Sequence, residues 1–584
     1  MIGAMTTDAP PAEDGLPSYE EAVALVTADG ARFTWHTEVV RGVPTRVFDR
    51  APAHLRALWD AGRSRDDDVF LVYEDERWTF AEFLARVDAL GALLVSELGV
   101  SKGDRIAIAM RNYPEWIVAF AAATSIGAIA VSLNAWWTEH ELAYGLDDSG
   151  ASLVIADVER IDRIGPELAG GALRALAVRW PAERPLPDGV ERFEDRIGPL
   201  LAAGAAMPDI EIDPDDDATI LYTSGTTGHP KGAVATHRGV CSALMAYACA
   251  SAISTLRQRP DERAGNHPFA RCYLLCVPLF HVTGCIAVML NAWASGSRLV
   301  IMYRWNPERA LELVERERVT MFIGVPTMSW DLLESPDFER RDTSSLYTVG
   351  GGGAPAPPEL VRRIDSGFSK ARPTIGYGMT ETNAYGPGNS GDDYVRKPTS
   401  AGRVVPVVEV RVTDPDGNPR PAGEVGEIWF RGPHLIRGYW NRPEATAETL
   451  VDGWLRTGDL GRVDDEGFVY VEDRAKDMVL RAGENVYCAE VEAAIYEHPA
   501  VYEAAVFGVP HPRLGEEVAA IVLPRAGEHL DEAALVAHLA ERVAPFKIPT
   551  VIRFASDQLP RNASGKILKR DLRDRIVDEA GPTG

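Results

Sequence analysis

The sequence has 584 residues, 46% of them hydrophobic and 25% charged, with a formal net charge of -26. That length exceeds what one hydrophobic core serves, so two or more domains are predicted. The acidic balance excludes a protein whose main surface grips a nucleic-acid backbone, which needs a basic face, and weighs against an anionic membrane surface.

In chain order, the opening MIGAMTTDAPPAEDG has neither a basic n-region nor an apolar h-region, so it reads as a tail and not a secretory signal. Residues 1–45 are assigned to this tail and a lead-in segment. RIAIAM (105–110) predicts a buried strand, followed by a helix from Pro114. Two uncharged stretches, 116–138 and 274–297 (which holds only His281), are long enough by count to span a bilayer. Both contain small polar residues and split into shorter patterns; EWIVAFAAATSIGA reads as a buried helix and AIAVSLN as a strand, so no integral membrane segment is predicted. SLVIADV and RLVIMY add buried strands, and this alternation predicts doubly wound α/β layers. From Val404 the pattern shifts to short strands with Asp-Gly turns, a β-rich module read as a small barrel. A polar junction near Lys476 precedes a last α/β stretch of about a hundred residues, a small domain.

The six cysteines, Cys241, Cys249, Cys272, Cys276, Cys285 and Cys488, form no CxxC pair and no zinc spacing. They are predicted to be reduced, buried and inert in a cytoplasmic protein.

The stretch YTSGTTGHPKG (222–232) follows the strand ATILY and holds three glycines, four small hydroxyls, one proline and one lysine. Glycine and proline oppose a helix, and inward-turned N–H groups, hydroxyls and Lys231 suit phosphate oxygens. The spacing departs from Walker A, because Pro230 lies five residues after Gly225 and Gly232 follows the lysine. Neither GGGGAP nor GYGMTE completes a dinucleotide fingerprint. A polyphosphate loop and a plain surface loop both remain open on this stretch alone.

Six further motifs accompany it in order: LFHVTG (279–284), GGAPAPPEL (352–360), GYGMTET (376–382), WLRTGDLG (454–461), DRAKDMVLRAGENVYCAEVE (473–492) and PRNASGKILKRDL (560–572). Together they resemble the acyl-adenylate-forming superfamily of acyl-CoA synthetases, peptide-synthetase adenylation domains and luciferases, from about residue 50 to 575, with the fatty-acid-type acyl-CoA synthetases nearest. The resemblance implies an α/β multi-domain fold. A large N-terminal domain (46–475) would hold two doubly wound α/β layers plus a small β-barrel module. A small mobile α+β C-terminal domain (476–584) would rotate about Lys476.

The implied chemistry joins a carboxylic acid to ATP as acyl-AMP, releasing pyrophosphate, and passes the acyl group to CoA, releasing AMP. By resemblance, Thr223, Ser224, Gly225, Thr226, Thr227, Gly228 and Lys231 hold the departing phosphates. Glu381 ligates Mg²⁺ and Thr380 contacts the α-phosphate. Tyr377, with Gly378 and Met379, lies on one side of adenine, and Gly353, Ala354 and Pro355 line the other. Asp459 takes the ribose diol, Arg474 adds a ribose or phosphate contact, and Lys566 bridges the substrate carboxylate and the α-phosphate. His281 sits at the mouth of the acyl pocket. Gly483 lets its strand approach the thiol tunnel, and Lys547 touches the CoA phosphates. Without the resemblance, Tyr377 and His281 read more plainly as packed residues, and Lys566 as a solvated one.

Two positions depart from the family pattern. Cys488 stands where proline is usual, predicting a less rigid loop, and Ile375 stands where Gln or Asn is common. CoA is favoured as acceptor over a carrier protein. His281 occupies the position of an amine-binding aspartate, and the spacing from His281 to Tyr377 leaves little room for an insertion. A non-catalytic ligand-binding homologue would be expected to lack Lys566, Glu381 or Asp459. The four glycines of TVGGGGAPAPP predict room for a medium- or long-chain acid or a bulky polycyclic one. Trp136 and Trp137 are read as core or partner-facing, and a homodimer stays compatible with the sequence.

Overall fold

The computed structural model describes residues 15–223, 230–259, 267–474, 476–481, 484–563 and 565–580. Two eight-stranded sheets form the large N-terminal domain. The first carries Arg105–Ala109, Ile129–Ser132, Leu153–Asp157 and Arg174–Val178 as parallel neighbours, with Asp217–Thr223 parallel to Ile129–Ser132. The second runs parallel from Val69–Tyr73 through Arg298–Ile301, Cys272–Leu275, Met321–Gly324 and Thr348–Gly352 to Arg372–Gly376. Strands buried on both faces need apolar residues throughout, and Leu153–Asp157 is buried at every position.

The stretch 116–138 resolves as predicted. Helix Pro114–Ser125 is buried along its whole length and strand Ile129–Ser132 follows it. In the second uncharged stretch, strand Cys272–Leu275 leads to a wide-turn π-helix, Thr283–Leu290, continued by Asn291–Ala294. Among the described residues, the one helix long and apolar enough to cross a membrane is a different one, His237–Leu256. It packs into the core: Val240, Cys241 and Leu244 join the main hydrophobic cluster, and Ala243, Ala246, Cys249 and Ile253 join a second.

The β-rich module is a five-stranded antiparallel sheet in which Asp459 on Trp454–Val463 sits opposite Arg474 on Val469–Arg474. The small C-terminal domain builds its own five-stranded sheet, centred on Val501–His511 and Gly515–Pro524. Among the described residues, its cores, around Val518 and Ala519, contain no residue of the large domain. The lead-in is built onto the large domain: helix Tyr19–Thr27 places Ala22 and Val26 in the same cluster as Ala246 and Ile253. All six cysteines are free and buried.

Candidate active site

A cleft of about 2620 Å³ opens between the two domains, at the carboxyl ends of the second sheet's parallel strands. Thr223, Lys231, His281, Gly353, Ala354, Pro355, Tyr377, Gly378, Met379, Thr380, Glu381, Asp459, Arg474, Lys476 and Lys566 all line it.

Thr223 and Lys231 face each other in an antiparallel register, and the Thr223 hydroxyl donates to the Lys231 carbonyl at 3.3 Å. Ser224, Gly225, Thr226, Thr227 and Gly228, between them, lie outside the described residues, as does Gly483. Strand Lys231–Thr236 pairs Ala233 with Tyr439. This brings the Tyr439 ring within 5.1 Å of the Lys231 ammonium, while its hydroxyl donates to Glu381 Oε1 at 2.6 Å. Glu381 is buried; burial pushes its carboxyl up, opposed by the Tyr439 bond. Glu381 sits on a tight turn, Thr380–Thr382, after strand Arg372–Gly376. Gly378 has no alternative here, since a Cβ would lie 2.5 Å from the Ala384 carbonyl oxygen.

On the opposite side the Tyr377 hydroxyl donates to Asp459 Oδ2, and Arg474 Nε lies 3.5 Å from Asp459 Oδ1. Burial raises the Asp459 carboxyl, and Arg474 is the largest opposing influence. The Thr457 hydroxyl also fixes the turn by accepting from the Asp459 backbone N–H at 3.0 Å.

Lys566 enters from the small domain on a closed loop. Its N–H donates to Asn562 Oδ1 at 2.9 Å, and its carbonyl accepts from the Asn562 N–H at 2.9 Å. Its side chain reaches a recess shared with Pro278, His281, Thr283, Val325 and Gly353. Burial, reinforced by Arg474, lowers the ammonium to about 8, partly offset by Asp459 and Glu381. His281 falls to about 4 through burial and then Lys566, so it is neutral at pH 7. Its Nδ1 accepts from the Thr283 N–H at 3.3 Å, which leaves Nε2–H as a donor.

Lys547, expected on the thiol side, lies away from the cleft lining. Lys547 pairs with Glu490 at 2.7 Å, and neither it nor any described residue of 479–486 lines the cleft. Cys488 does not loosen its loop. Its N–H, which a proline would lack, donates to Asp473, and its thiol donates to the Asp477 carbonyl at 3.1 Å. Gly350 and Gly351, at φ +151° and +155°, answer to sheet geometry before pocket size. A Cβ on Gly351 would lie 1.7 Å from the Gly324 carbonyl oxygen. Ile375 lines the cleft opposite Gly351 in register. Trp137 packs edge-on against Tyr222, whereas Trp136 is exposed with Arg111 at 4.9 Å over its ring. Tyr439 is a site residue that sequence reasoning missed. Nothing in GYW marks it, and only strand pairing brings it to Glu381.

The AMP-binding enzyme profile matches residues 58–440, and the AMP-binding enzyme C-terminal domain matches 490–566. The chain is 38% identical to a feruloyl-CoA synthase of Amycolatopsis sp, over 85% of this chain and 94% of that protein. It is 36% identical to the long-chain-fatty-acid–CoA ligase FadD13 of Mycobacterium tuberculosis, over 86% and 93%. ATP-bound MatB from Rhodopseudomonas palustris superposes with a TM-score of 0.76 at 31% identity, covering 90% of this chain and 99% of that one. With matches spanning both domains, the chain belongs to the AMP-binding enzyme family and is an AMP-forming acid–thiol ligase of the acyl-adenylate-forming superfamily.

Proposed function

We propose that this enzyme is an ATP-dependent carboxylate–CoA ligase for a medium- or long-chain or bulky polycyclic acid. The observation that carries the reading is the convergence of Lys566, His281, Glu381, Asp459 and Arg474, drawn from both domains, on one cleft.

The acid's carboxylate oxygen attacks the α-phosphorus of ATP, and the bond to pyrophosphate breaks. Lys566 neutralises charge gathering between carboxylate and α-phosphate, and His281 presents Nε2–H to the carboxylate. Lys231 and Thr223 stand where pyrophosphate departs, and Thr380 contacts the α-phosphate. Asp459 accepts the ribose hydroxyls, with Tyr377 and Arg474 fixing the carboxylate. Met379 and Gly378 adjoin the adenine, opposite Gly353, Ala354 and Pro355. A buried carboxylate fits Mg²⁺, which takes one or two carboxylates and fills its shell with water and phosphate oxygens. Glu381, held by Tyr439, would be that ligand, and the ion would neutralise phosphate charge when bound. The CoA thiol then attacks the acyl carbon and AMP leaves. For this step the small domain turns about Lys476, between domains bounded at 475 and 476, and brings Gly483 and Lys547 towards the thiol.

The acyl group would take a part of the cleft whose lining includes the small Ala248, Ser251 and Ala252 of helix His237–Leu256 and the apolar Met321, Ile323 and Trp330. Small and apolar residues in the lining of so wide a cleft support a bulky acid.

The test is a panel of acids from acetate to long-chain and polycyclic, each with ATP and Mg²⁺, with and without CoA, read by mass spectrometry. Acyl-CoA from bulky acids is expected. Turnover confined to two- or three-carbon acids would overturn the substrate class, and acyl-AMP without acyl-CoA would point to a carrier-protein acceptor. In the same assay Lys566→Ala should slow acyl-AMP formation about 10²–10³-fold.

A further inference from the structure

Helix Pro326–Glu334 follows strand Met321–Gly324 at the back of the cleft, with Pro326, Thr327 and Trp330 on the cleft wall. It also meets the small domain at both ends. At its start, a Cβ built on Gly565 would lie 2.9 Å from Val325 Cγ2, so the backbone beside Lys566 rests directly on the helix. Near its end, Asp331 accepts from the Trp305 indole N–H of the large domain at 2.8 Å and from the Tyr502 hydroxyl of the small domain at 2.8 Å. One turn on, Glu334 pairs with Arg525 of the small domain.

From Tyr502 the connection runs without a break to Lys566. The adjacent Glu503 is buried, and accepts from Arg561 at 2.6 Å and from the Leu559 N–H at 2.9 Å. Arg561 also donates to the Gly565 carbonyl at 2.7 Å. The described residues on either side of Lys566 are therefore tied by hydrogen bonds to the strand that carries Tyr502.

No hydrophobic cluster among the described residues spans both domains. Apart from Val325 against Gly565, the docking contacts named here are polar, and polar contacts can be released to water at modest expense, unlike a shared core. On undocking, Asp331 keeps its bond from Trp305 and regains water in place of Tyr502.

We propose that Asp331 and Tyr502 form a latch that seats Lys566 for acyl-adenylate formation and opens for the thiol step. Asp331 is a positioning residue acting through Tyr502, Glu503 and Arg561. The latch rests on the role given above to Lys566, and it adds what sets the balance between the two half-reactions.

Tyr502→Phe removes the bonding hydroxyl and keeps the ring. Each half-reaction is measured alone: pyrophosphate release from ATP and acid, and thioester formation from CoA and a supplied synthetic acyl-adenylate. Losing one hydrogen bond to a charged group should lower the first about tenfold and leave the second unchanged or faster. Asp331→Ala should do the same. Both half-reactions unchanged in both variants would overturn the latch, and so would a proportional fall in both, which would mark a merely structural contact. Lys566→Ala, run alongside, separates the two ideas. If it releases pyrophosphate at the full rate, the underlying reading of Lys566 fails. If it is impaired while Tyr502→Phe and Asp331→Ala are normal, only the latch fails.

Discussion

Lys566 shows how a single side chain can be tuned by what surrounds it. Its ammonium sits near 8 and not at the ordinary 10.5, because burial and Arg474 disfavour the charge more than Asp459 and Glu381 favour it. In the role proposed for Lys566 the charged form is the useful one, so activity should fall as pH rises through that value. We expect kcat/KM for acyl-adenylate formation, which reports the free enzyme, to drop about tenfold per unit above about pH 8. In Lys566→Arg the guanidinium stays charged, and the remaining activity should lose this alkaline limb. A limb that persists unchanged in the arginine variant would assign it to another group. The sign for stability is opposite to that of a stabilising pair. The penalty of holding the ammonium is fully present below about 8 and is relieved as pH rises towards 10.5. His281, near 4, stays neutral throughout this window and contributes no limb of its own.

The elements give residues a second reason that the motifs alone do not supply. The glycines of Thr348–Gly352 read as absent side chains around an acyl group. In the sheet, Gly350 would place a Cβ 1.9 Å from the Thr374 carbonyl oxygen and Gly351 one 1.7 Å from that of Gly324, so close strand approach excludes side chains there. Cys488 begins helix Cys488–Tyr496, and its N–H bonds the buried Asp473 across the junction between domains. Burial raises Asp473 to about 6, against the pull of Lys569 and of its two backbone donors, Cys488 and Arg474. Proline suits the first turn of a helix but removes this donor. Cys488→Pro should therefore destabilise the protein by about 1–3 kcal/mol, read as a lower urea midpoint, whereas Cys488→Ala keeps the N–H and should cost less. Equal midpoints for the two variants would remove the hydrogen bond from the account.

At the level of the whole molecule, the two domains have separate cores among the described residues, while the lead-in is bound to the large domain. Tyr19 donates to the Val404 carbonyl at 3.0 Å, and the Arg403 guanidinium lies 3.7 Å over its ring. Arg403 and Arg257 both pair with Asp393, so helix Tyr19–Thr27, helix His237–Leu256 and the start of the β-rich module meet at one point. Tyr19→Ala should lower stability by about 2 kcal/mol and speed proteolytic cleavage ahead of residue 50. Unchanged cleavage would show that the lead-in holds without this anchor.

The α/β class, the order of the seven motifs and the residues that come to line one cleft were legible in the sequence. They depend on local periodicity and on short segments whose spacing is fixed along the chain. The register that sets Asp459 opposite Arg474 was not legible, nor was the pairing that brings Tyr439 to Glu381, nor the docking of Tyr502 on Asp331. Residues 381 and 439, or 331 and 502, are far apart in the chain, and no local preference links them. Only the packing of sheets and the seating of one domain on the other brings such groups within hydrogen-bond reach. The sequence determined which chemistry the chain could perform; the tertiary structure decided where its charges meet, because burial and long-range pairing are properties of the folded whole.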